Sequence, residues 1–327
     1  MKAITYQLAS DTFTLKQLPK PQLQSDFDVL VKVHAVALNP VDAKVNQWHR
    51  MAPDMNDDFV GGLDVAGEIV EVGAAVDGWH VGDRVLYHGN MRRIHGGFAE
   101  YALQDARTLT PHPNVAPEVA AATPCAAWTA YRALVDKLDV EQRSSIFISG
   151  GAGGVGSFAI QLAKHFGVET IITTASASKH EFVQSLGATH VIDYKQEDVL
   201  ARVLDITDQQ GVDVSLDCVG GENDVLCASV LGFEGEMVEL VNTVNPSQYP
   251  DAFLKGLSFH QLSLGSGHAN CDKGFQSIVS AGKEVSKLLE LNILQVPQLE
   301  VISLEQIGDK LQDMRRQRTT GKIVARL

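Results

Sequence analysis

Cysteine is scarce in this chain. It occurs four times in 327 residues, as Cys125, Cys218, Cys227 and Cys271. The four are far apart and no pair has metal-knuckle spacing, so free thiols in a reducing cytoplasm are the simplest account. Long apolar runs are missing as well. No stretch of about 18 uninterrupted apolar residues appears, which excludes a spanning helix. No long apolar region follows Met1-Lys2-Ala3-Ile4-Thr5-Tyr6, so no signal peptide and a cytoplasmic location are expected. Positive charge is in deficit, with 27 Lys and Arg against 40 Asp and Glu and a net charge of −13. An acidic surface repels phosphate backbones and anionic lipid, so no nucleic-acid partner and no membrane partner are expected.

What remains is ordinary for a soluble protein: 45% hydrophobic and 20% charged residues, ample for buried cores. A chain of this length exceeds what one core usually supports, so two domains are the first expectation. The N-terminal part reads as short strands between glycine-rich turns. Val29 to Val36 and Val65 to Val72 are apolar with alternation. Val60-Gly61-Gly62, Val81-Gly82-Asp83 and His95-Gly96-Gly97 are turns. This pattern predicts a compact barrel-like β domain.

The pattern changes near residue 117. Pro117 to Leu134 is Ala-rich and helical in character, interrupted by Pro124. From about residue 145 strands and helices alternate. Strands are predicted at Ile146–Ile148, Thr170–Thr174, His190–Ile192, Val212–Leu216 and Glu236–Leu240, and helices at Val155–Phe166, Lys179–Leu186 and Val199–Leu204. Such alternation means a parallel sheet with crossover helices, an α/β fold. Beyond it lie a helix at Lys273–Leu291, a strand at Leu299–Ile302, a helix at Leu304–Arg315 and a closing strand at Lys322–Leu327.

The chemistry-bearing motif is Gly151-Ala152-Gly153-Gly154-Val155-Gly156. GxGxxG binds a dinucleotide only where a strand precedes and a helix follows, and both do here. Gly151 permits the tight turn, Gly153 clears the approach of the pyrophosphate, and Gly156 lets the helix lie close to the sheet. The helix N-terminus offers N–H groups and partial positive charge to phosphates. A P-loop is excluded because Gly156 is followed by Ser157 without a lysine. A nucleophile elbow at Ser149 fails because Phe147 stands where glycine is required.

NAD sites usually place a carboxylate at the end of the second strand, on the ribose hydroxyl. That strand ends Thr173-Thr174-Ala175-Ser176, followed by Ser178 and Lys179. Hydroxyls and a lysine suit a 2′-phosphate, which favours NADP(H). The alternative is that Ser176 and Ser178 cap the next helix. The two roles are compatible.

Ile148 to Gly156, followed by Gln161-Leu162-Ala163-Lys164, resembles the zinc-independent quinone oxidoreductases, the zeta-crystallin-like branch of the medium-chain dehydrogenase/reductases. Other landmarks fall in the same order. They are Ala37 to Asp42, Gly67 to Gly73, Gly82 to Val85, Gly97 to Tyr101, Trp128 to Tyr131, Leu186 to Ala188, Asp217 to Gly221 and Thr320 to Val324. The resemblance covers nearly the whole chain. It implies a GroES-like β-barrel catalytic domain, 1–124 and 266–327, and a Rossmann doubly wound parallel-sheet domain, 125–265, with NADP(H) between them. By the same resemblance Gly153, Gly154 and Val155 hold the pyrophosphate, and Ser176, Lys179 and Tyr194 hold the 2′-phosphate. Asn39 and Thr129 stand beside the nicotinamide, and Val219 and Val241 flank it. The resemblance further implies a homodimer or homotetramer, joined edge to edge at a strand Phe259–Leu264.

The zinc-dependent alcohol dehydrogenases of the same superfamily use a cysteine where Asn39 stands, and a Gly-His-Glu where Gly62-Leu63-Asp64 stands. Leu63 cannot ligate metal, and residues 86–105 contain no cysteine for a structural zinc lobe. His49, His88 and His95 match no ligand spacing and read as surface or turn histidines. No metal is expected.

The expected function is therefore NADPH-dependent, metal-free hydride transfer to small quinones or α,β-unsaturated carbonyls, whose conjugated oxygen accepts the charge. The Asn39 amide is the candidate catalytic donor to that oxygen or to the nicotinamide ribose. The competing reading is a backbone-bonded turn residue ahead of Pro40. Asp42 reads as a local cap, and Trp48 and Tyr87 as possible walls of a cleft. A zinc-type alcohol dehydrogenase and a non-catalytic NADPH-binding sensor are the alternatives. The natural acceptor and any proton donor cannot be read from the sequence.

Overall fold

The computed structural model describes residues 1–52, 54–316 and 321–327, apart from the side chains at positions 49 and 50. Thr320 of the last landmark and the His49 side chain thus lie outside the described residues. Seven strands come first: β1 (Lys2–Gln7), β2 (Thr12–Gln17), β3 (Asp28–Leu38), β4 (Asp64–Val72), β5 (Arg84–His88), β6 (Tyr101–Asp105) and β7 (Thr110–Pro111). Six follow: β8 (Ser145–Ser149), β9 (Thr170–Thr174), β10 (His190–Ile192), β11 (Val212–Asp217), β12 (Leu231–Glu239) and β13 (Ser258–Gln261). Then come β14 (Leu299–Ser303) and β15 (Lys322–Arg326).

Two compact units result, residues 1–128 with 264–327, and residues 129–263. In the first, the sheet order is β14-β15-β3-β4-β5-β7, with β6 also on β3, and β1 pairs with β2 as a hairpin. Strand β3 is buried along almost its whole length because β15, β4 and β6 all pair with it. Its Val29, Val31, Val33, Val36 and Leu38 enter one core with Val65, Ile69, Val85, Phe98 and Ile323. Helix α1 (Pro40–Ala43) starts directly after β3 on a proline, whose missing N–H costs nothing at a first helical position.

In the second unit every strand pair is parallel and the order is β10-β9-β8-β11-β12-β13. The chain starts in the middle, winds outward one way to β10, then returns to the other side. The reversal between β8 and β11 is the switch point where open α/β sheets bind ligands at their carboxyl ends. The crossovers include α2 (Gly154–His165), α3 (His180–Leu186) and α4 (Val199–Ile206), and α5 (Asn223–Ser229) joins β11 to β12. Phe147, Ile172, Ile192, Val212 and Met237 project from successive strands into one core. The two architectures are those expected: a β-rich unit and a doubly wound α/β unit.

Local departures have local causes. Past Pro117–Ala121 the helix does not run on; wider turns occupy Pro124–Trp128 and Arg132–Lys137. Pro124 has no N–H to give the Ala120 carbonyl, and the Thr123 hydroxyl donates to that carbonyl instead, at 2.8 Å. The strand expected at Phe259–Leu264 is Ser258–Gln261, because Leu264-Gly265-Ser266-Gly267 turns into a tight helical coil. The strand at 236–240 starts five residues earlier, at Leu231, and α5 was not foreseen. Among the described residues no helix is long and apolar enough to cross a membrane.

Candidate functional site

The second unit builds its site at the carboxyl ends of β8, β9, β10, β11 and β12. After β8 the chain bends sharply at Gly150 (φ +76°). The Gly150 N–H donates to Thr174 Oγ1 (2.9 Å) and the Gly151 N–H to the Thr174 carbonyl (3.1 Å), fixing the loop to the end of β9. Gly153 is the N-cap of α2, and the first intrahelical bond runs from Ser157 N–H to the Gly153 carbonyl (3.0 Å). The N–H groups ahead of Ser157 have no carbonyl within the helix to meet, so they and the helix dipole make an anion site.

The left-handed turn falls on Gly150 and not, as the spacing predicts, on Gly151, which is instead held to glycine by its close approach to β9. A Cβ on Gly151 would lie 2.1 Å from Thr173 Oγ1, and one on Gly156 would lie 2.4 Å from the Gly150 carbonyl oxygen. Gly153 is different: a Cβ there meets only the Gly150 oxygen, at 3.2 Å, so the space above it is open.

Ser176, Ser178 and Lys179 follow β9, and Tyr194 follows β10. Ser176 is the N-cap of a short coil, yet its side chain makes no capping bond; its Oγ lies 3.4 Å from Ser178 Oγ. Helix α3 is capped by Lys179, whose side chain makes no capping bond either. No carboxylate follows β9 before Glu181. Thr129 opens a short helix at the start of this unit. Val219 packs beside Gly150, and Val241 beside Gly220. Both valines are about half exposed, 52% and 47%. The structure therefore gathers Gly150, Gly151, Val219 and Val241 around the switch point.

The first unit holds Asn39, in a buried polar network that the sequence did not reveal. Lys322 Nζ donates to Asn39 Oδ1 (2.6 Å), and Asn39 Nδ2 donates to Asp64 Oδ2 (2.9 Å). Asp64 Oδ2 also accepts the Cys125 N–H (2.9 Å), and Asp64 Oδ1 takes His88 Nδ1 at 2.7 Å. All four side chains are buried. A carboxylate only accepts, so the His88 proton on this side is on Nδ1. The Asn39 N–H meanwhile donates to Asp42 Oδ2 (2.9 Å), the local cap expected of Asp42. Burial, reinforced by the Asp64 charge, pushes the Asp42 carboxyl up to about 7. Both readings of Asn39 thus meet in one residue: its backbone is held by the turn, and its amide is clamped at both ends with one N–H left over.

His88 is a correction. It reads as a surface or turn histidine, but it sits buried on β5 directly opposite Asp64 on β4. Cross-strand register brings together residues that are 24 apart in sequence. His268 donates from Nε2 to the His88 carbonyl (2.9 Å), and burial pulls its imidazole down to about 4. His95 is half-buried, with a buried Nδ1 that has no partner. Trp48 and Tyr87 are also buried; with Phe59, Leu63, Met91 and His95 they line a small enclosed cavity.

Known proteins resemble this chain in sequence and fold. The alcohol dehydrogenase GroES-like domain family matches residues 25–114, and the zinc-binding dehydrogenase family matches residues 154–278. An Arabidopsis thaliana "NADPH-dependent alkenal/one oxidoreductase, chloroplastic" is 37% identical over 256 residues, 75% of this chain and 64% of the relative. The chain thus spans just under two thirds of the length of that relative. The "Quinone oxidoreductase" of Sus scrofa is 28% identical over 81% of this chain and 80% of the relative. A Pseudomonas syringae quinone oxidoreductase structure superposes with a TM-score of 0.88 at 26% identity, over 100% of this chain and 99% of that one. The chain belongs to the medium-chain dehydrogenase/reductase superfamily, in its quinone oxidoreductase branch.

Membership in this superfamily raises zinc again, since one matched family is described as zinc-binding. Asp64, His88 and Cys125 lie with one ligand atom each within 4.8 Å of one another. The donor set nevertheless does not fit. Both Asp64 oxygens are already taken by Asn39, Cys125 N–H and His88. Burial and the Asp64 charge push the Cys125 thiol up, away from the thiolate that zinc needs. The Lys322 ammonium lies one amide away and would repel a dication. Protein dialysed against chelator is expected to lose no activity and to carry far less than one zinc per chain; stoichiometric zinc by elemental analysis would contradict this.

Proposed function

We propose that this member of the medium-chain dehydrogenase/reductase superfamily is a metal-free, NADPH-dependent reductase of α,β-unsaturated carbonyls or quinones. The observation that carries the reading is the glycine loop and α2 N-terminus at the switch point, next to a β9 end that offers Ser176, Ser178 and Lys179 and no carboxylate. The Arabidopsis thaliana relative is an NADPH-dependent alkenal/one oxidoreductase, and the Sus scrofa relative is a quinone oxidoreductase. Such acceptors take a hydride without a Lewis acid because conjugation carries the charge to oxygen.

When bound, NADPH supplies the hydride. The chain's own residues hold and orient. Gly153 leaves room for the pyrophosphate while Gly154 and Val155 present N–H groups to it, and Ser176, Lys179 and Tyr194 meet the 2′-phosphate. Thr129, Val219 and Val241 confine the ring, and the unspent N–H of Asn39 serves the developing oxyanion or the ribose. A cytoplasmic location suits the four free thiols. A homodimer or homotetramer suits β13, which ends the parallel sheet with its outer edge unpaired among the described residues.

The test is NADPH oxidation by the purified protein with a panel of enones and quinones. Turnover supports the reading, and none across the panel overturns it; tight NADPH binding without turnover would favour a sensor. Lys179→Ala removes one charge-assisted contact, worth about 2 kcal/mol or roughly thirtyfold in the Kd for NADPH. The Kd for NADH is expected to stay within about twofold, since NADH lacks the phosphate. Equal losses for both cofactors would remove Lys179 from the 2′-phosphate site.

A further inference from the structure

Two acidic side chains at the carboxyl ends of β11 and β12 have no role in the reading above. Asp217 and Glu239 are paired in the strand register, so they stand side by side on one face of the sheet. Both are buried, with 0% and 1% of their surface exposed. Each spends one oxygen on a loop. Asp217 Oδ1 accepts the N–H groups of Val219 (2.8 Å) and Gly220 (3.0 Å). Glu239 Oε1 accepts those of Val241 and Asn242, both at 2.5 Å. The other two oxygens, Asp217 Oδ2 and Glu239 Oε2, are buried with no donor. Two ionised carboxylates there would be adjacent, desolvated and mutually repulsive. One proton between them pairs both orphan oxygens at once.

We propose that Asp217 and Glu239 share a single proton, and that the resulting clamp is what positions the Val219–Gly220 and Val241–Asn242 loops for the cofactor ring. The inference rests on the proposed NADPH site. It makes Asp217 and Glu239 positioning residues, acting through the backbone of Val219 and Val241. The loops are further tied to each other, since Asn242 Nδ2 donates to the Gly221 carbonyl (3.1 Å). Movement of one is therefore passed to the other.

The surroundings do not supply a substitute for the proton. Asp224 on α5, the Tyr249 phenol and the Cys218 and Cys227 thiols are the ionisable groups that act on this pair or share its pocket, and each is neutral or negative. Arg143 and His260 bind Glu236, which lies on the opposite face of β12 by the two-residue alternation. Lys255 is engaged by the Ser229 and Leu231 carbonyls. Burial and the neighbouring Asp217 push the Glu239 carboxyl up to about 7. Its folded value lies above its unfolded one, so the clamp is intact below the ordinary carboxylate range and is lost as pH rises through about 7.

The experiment titrates NADPH by fluorescence between pH 6 and 9 against the full chain and Glu239→Gln. Glutamine keeps an oxygen for Val241 and Asn242 and offers Asp217 a permanent N–H. Wild-type affinity is expected to weaken about tenfold above neutrality, over and above the change in Glu239→Gln, whose profile stays nearly flat. A parallel comparison of thermal stability across the same range, and Asp217→Asn as a second variant that also removes the shared charge, cover a poorly folding Glu239→Gln. Superimposable profiles for wild type and variants would overturn the clamp. Failure to bind NADPH at any pH would instead overturn the proposed function, and the clamp with it.

Discussion

Substituting Gly156 by alanine is expected to abolish measurable NADPH binding. The new Cβ would lie 2.4 Å from the Gly150 carbonyl oxygen, 2.8 Å from the Gly151 Cα and 3.0 Å from the Gly150 carbonyl carbon. All three are backbone atoms, so no side-chain rotation relieves the clash. Helix α2 must move away from the loop that anchors it to β8, and its N-terminal N–H groups move with it. Overpacking of this kind costs about 1–3 kcal/mol in stability. Losing the helix-terminus geometry together with several phosphate contacts should weaken NADPH by more than about a hundredfold. Gly153→Ala separates fold from ligand. Its Cβ meets only one atom, at 3.2 Å, so the melting temperature should hardly change while the pyrophosphate is obstructed. If isothermal titration shows Gly156→Ala binding NADPH as wild type does, the loop is not the phosphate site.

The second large effect lies in the other unit. Asp64→Ala strips acceptors from the Asn39 amide, the Cys125 N–H and His88 Nδ1 in a fully buried setting. Removing one member of a buried charged network costs about 3–5 kcal/mol, which for a unit of this size is roughly 10 °C in Tm. The loss should exceed the sum of surface effects because Lys322, also buried, then loses the carboxylate at the far end of the Asn39 amide. The pairing makes a sharper test. Asp64→Asn and Lys322→Met should each destabilise, but together by less than their sum, because neither isolated charge remains. Additive losses in denaturant unfolding would mean the two charges do not sense one another.

Local features of these sites were legible in the sequence because short spacing encodes them. The glycine loop, the strand before it and the helix after it are contiguous, and Ser176 to Lys179 follows within one turn of β9. The expected strand and helix types in the α/β unit follow from apolar periodicity alone. The rest depends on pairing across distance. Asp64 looked like half of a failed zinc motif because the register that sets His88 opposite it joins two strands that no local pattern aligns. Asp217 and Glu239 are unremarkable strand ends until β11 and β12 lie in parallel register. Lys322 belonged to a terminal strand signal, and only the pairing of β15 with β3 brings it to Asn39. Even the Phe259–Leu264 strand was overrun, since hydropathy does not register the Gly265-Ser266-Gly267 bend.

That last pairing also bears on how the molecule is made. The bond from Lys322 to Asn39 spans 283 residues, and β3 shares its ladder with β15. Residues 129–263 contain every partner their sheet requires, so on the ribosome they can fold while the rest is still being synthesised. Strand β3 cannot be completed at that stage. The stretch Ala35–Leu38 along one of its edges must wait until β15 emerges, and Asn39 must wait for Lys322. Residues 1–128, although translated before residues 129–263, are thus finished after them, and they are the stretch that a nascent-chain chaperone would have to shield.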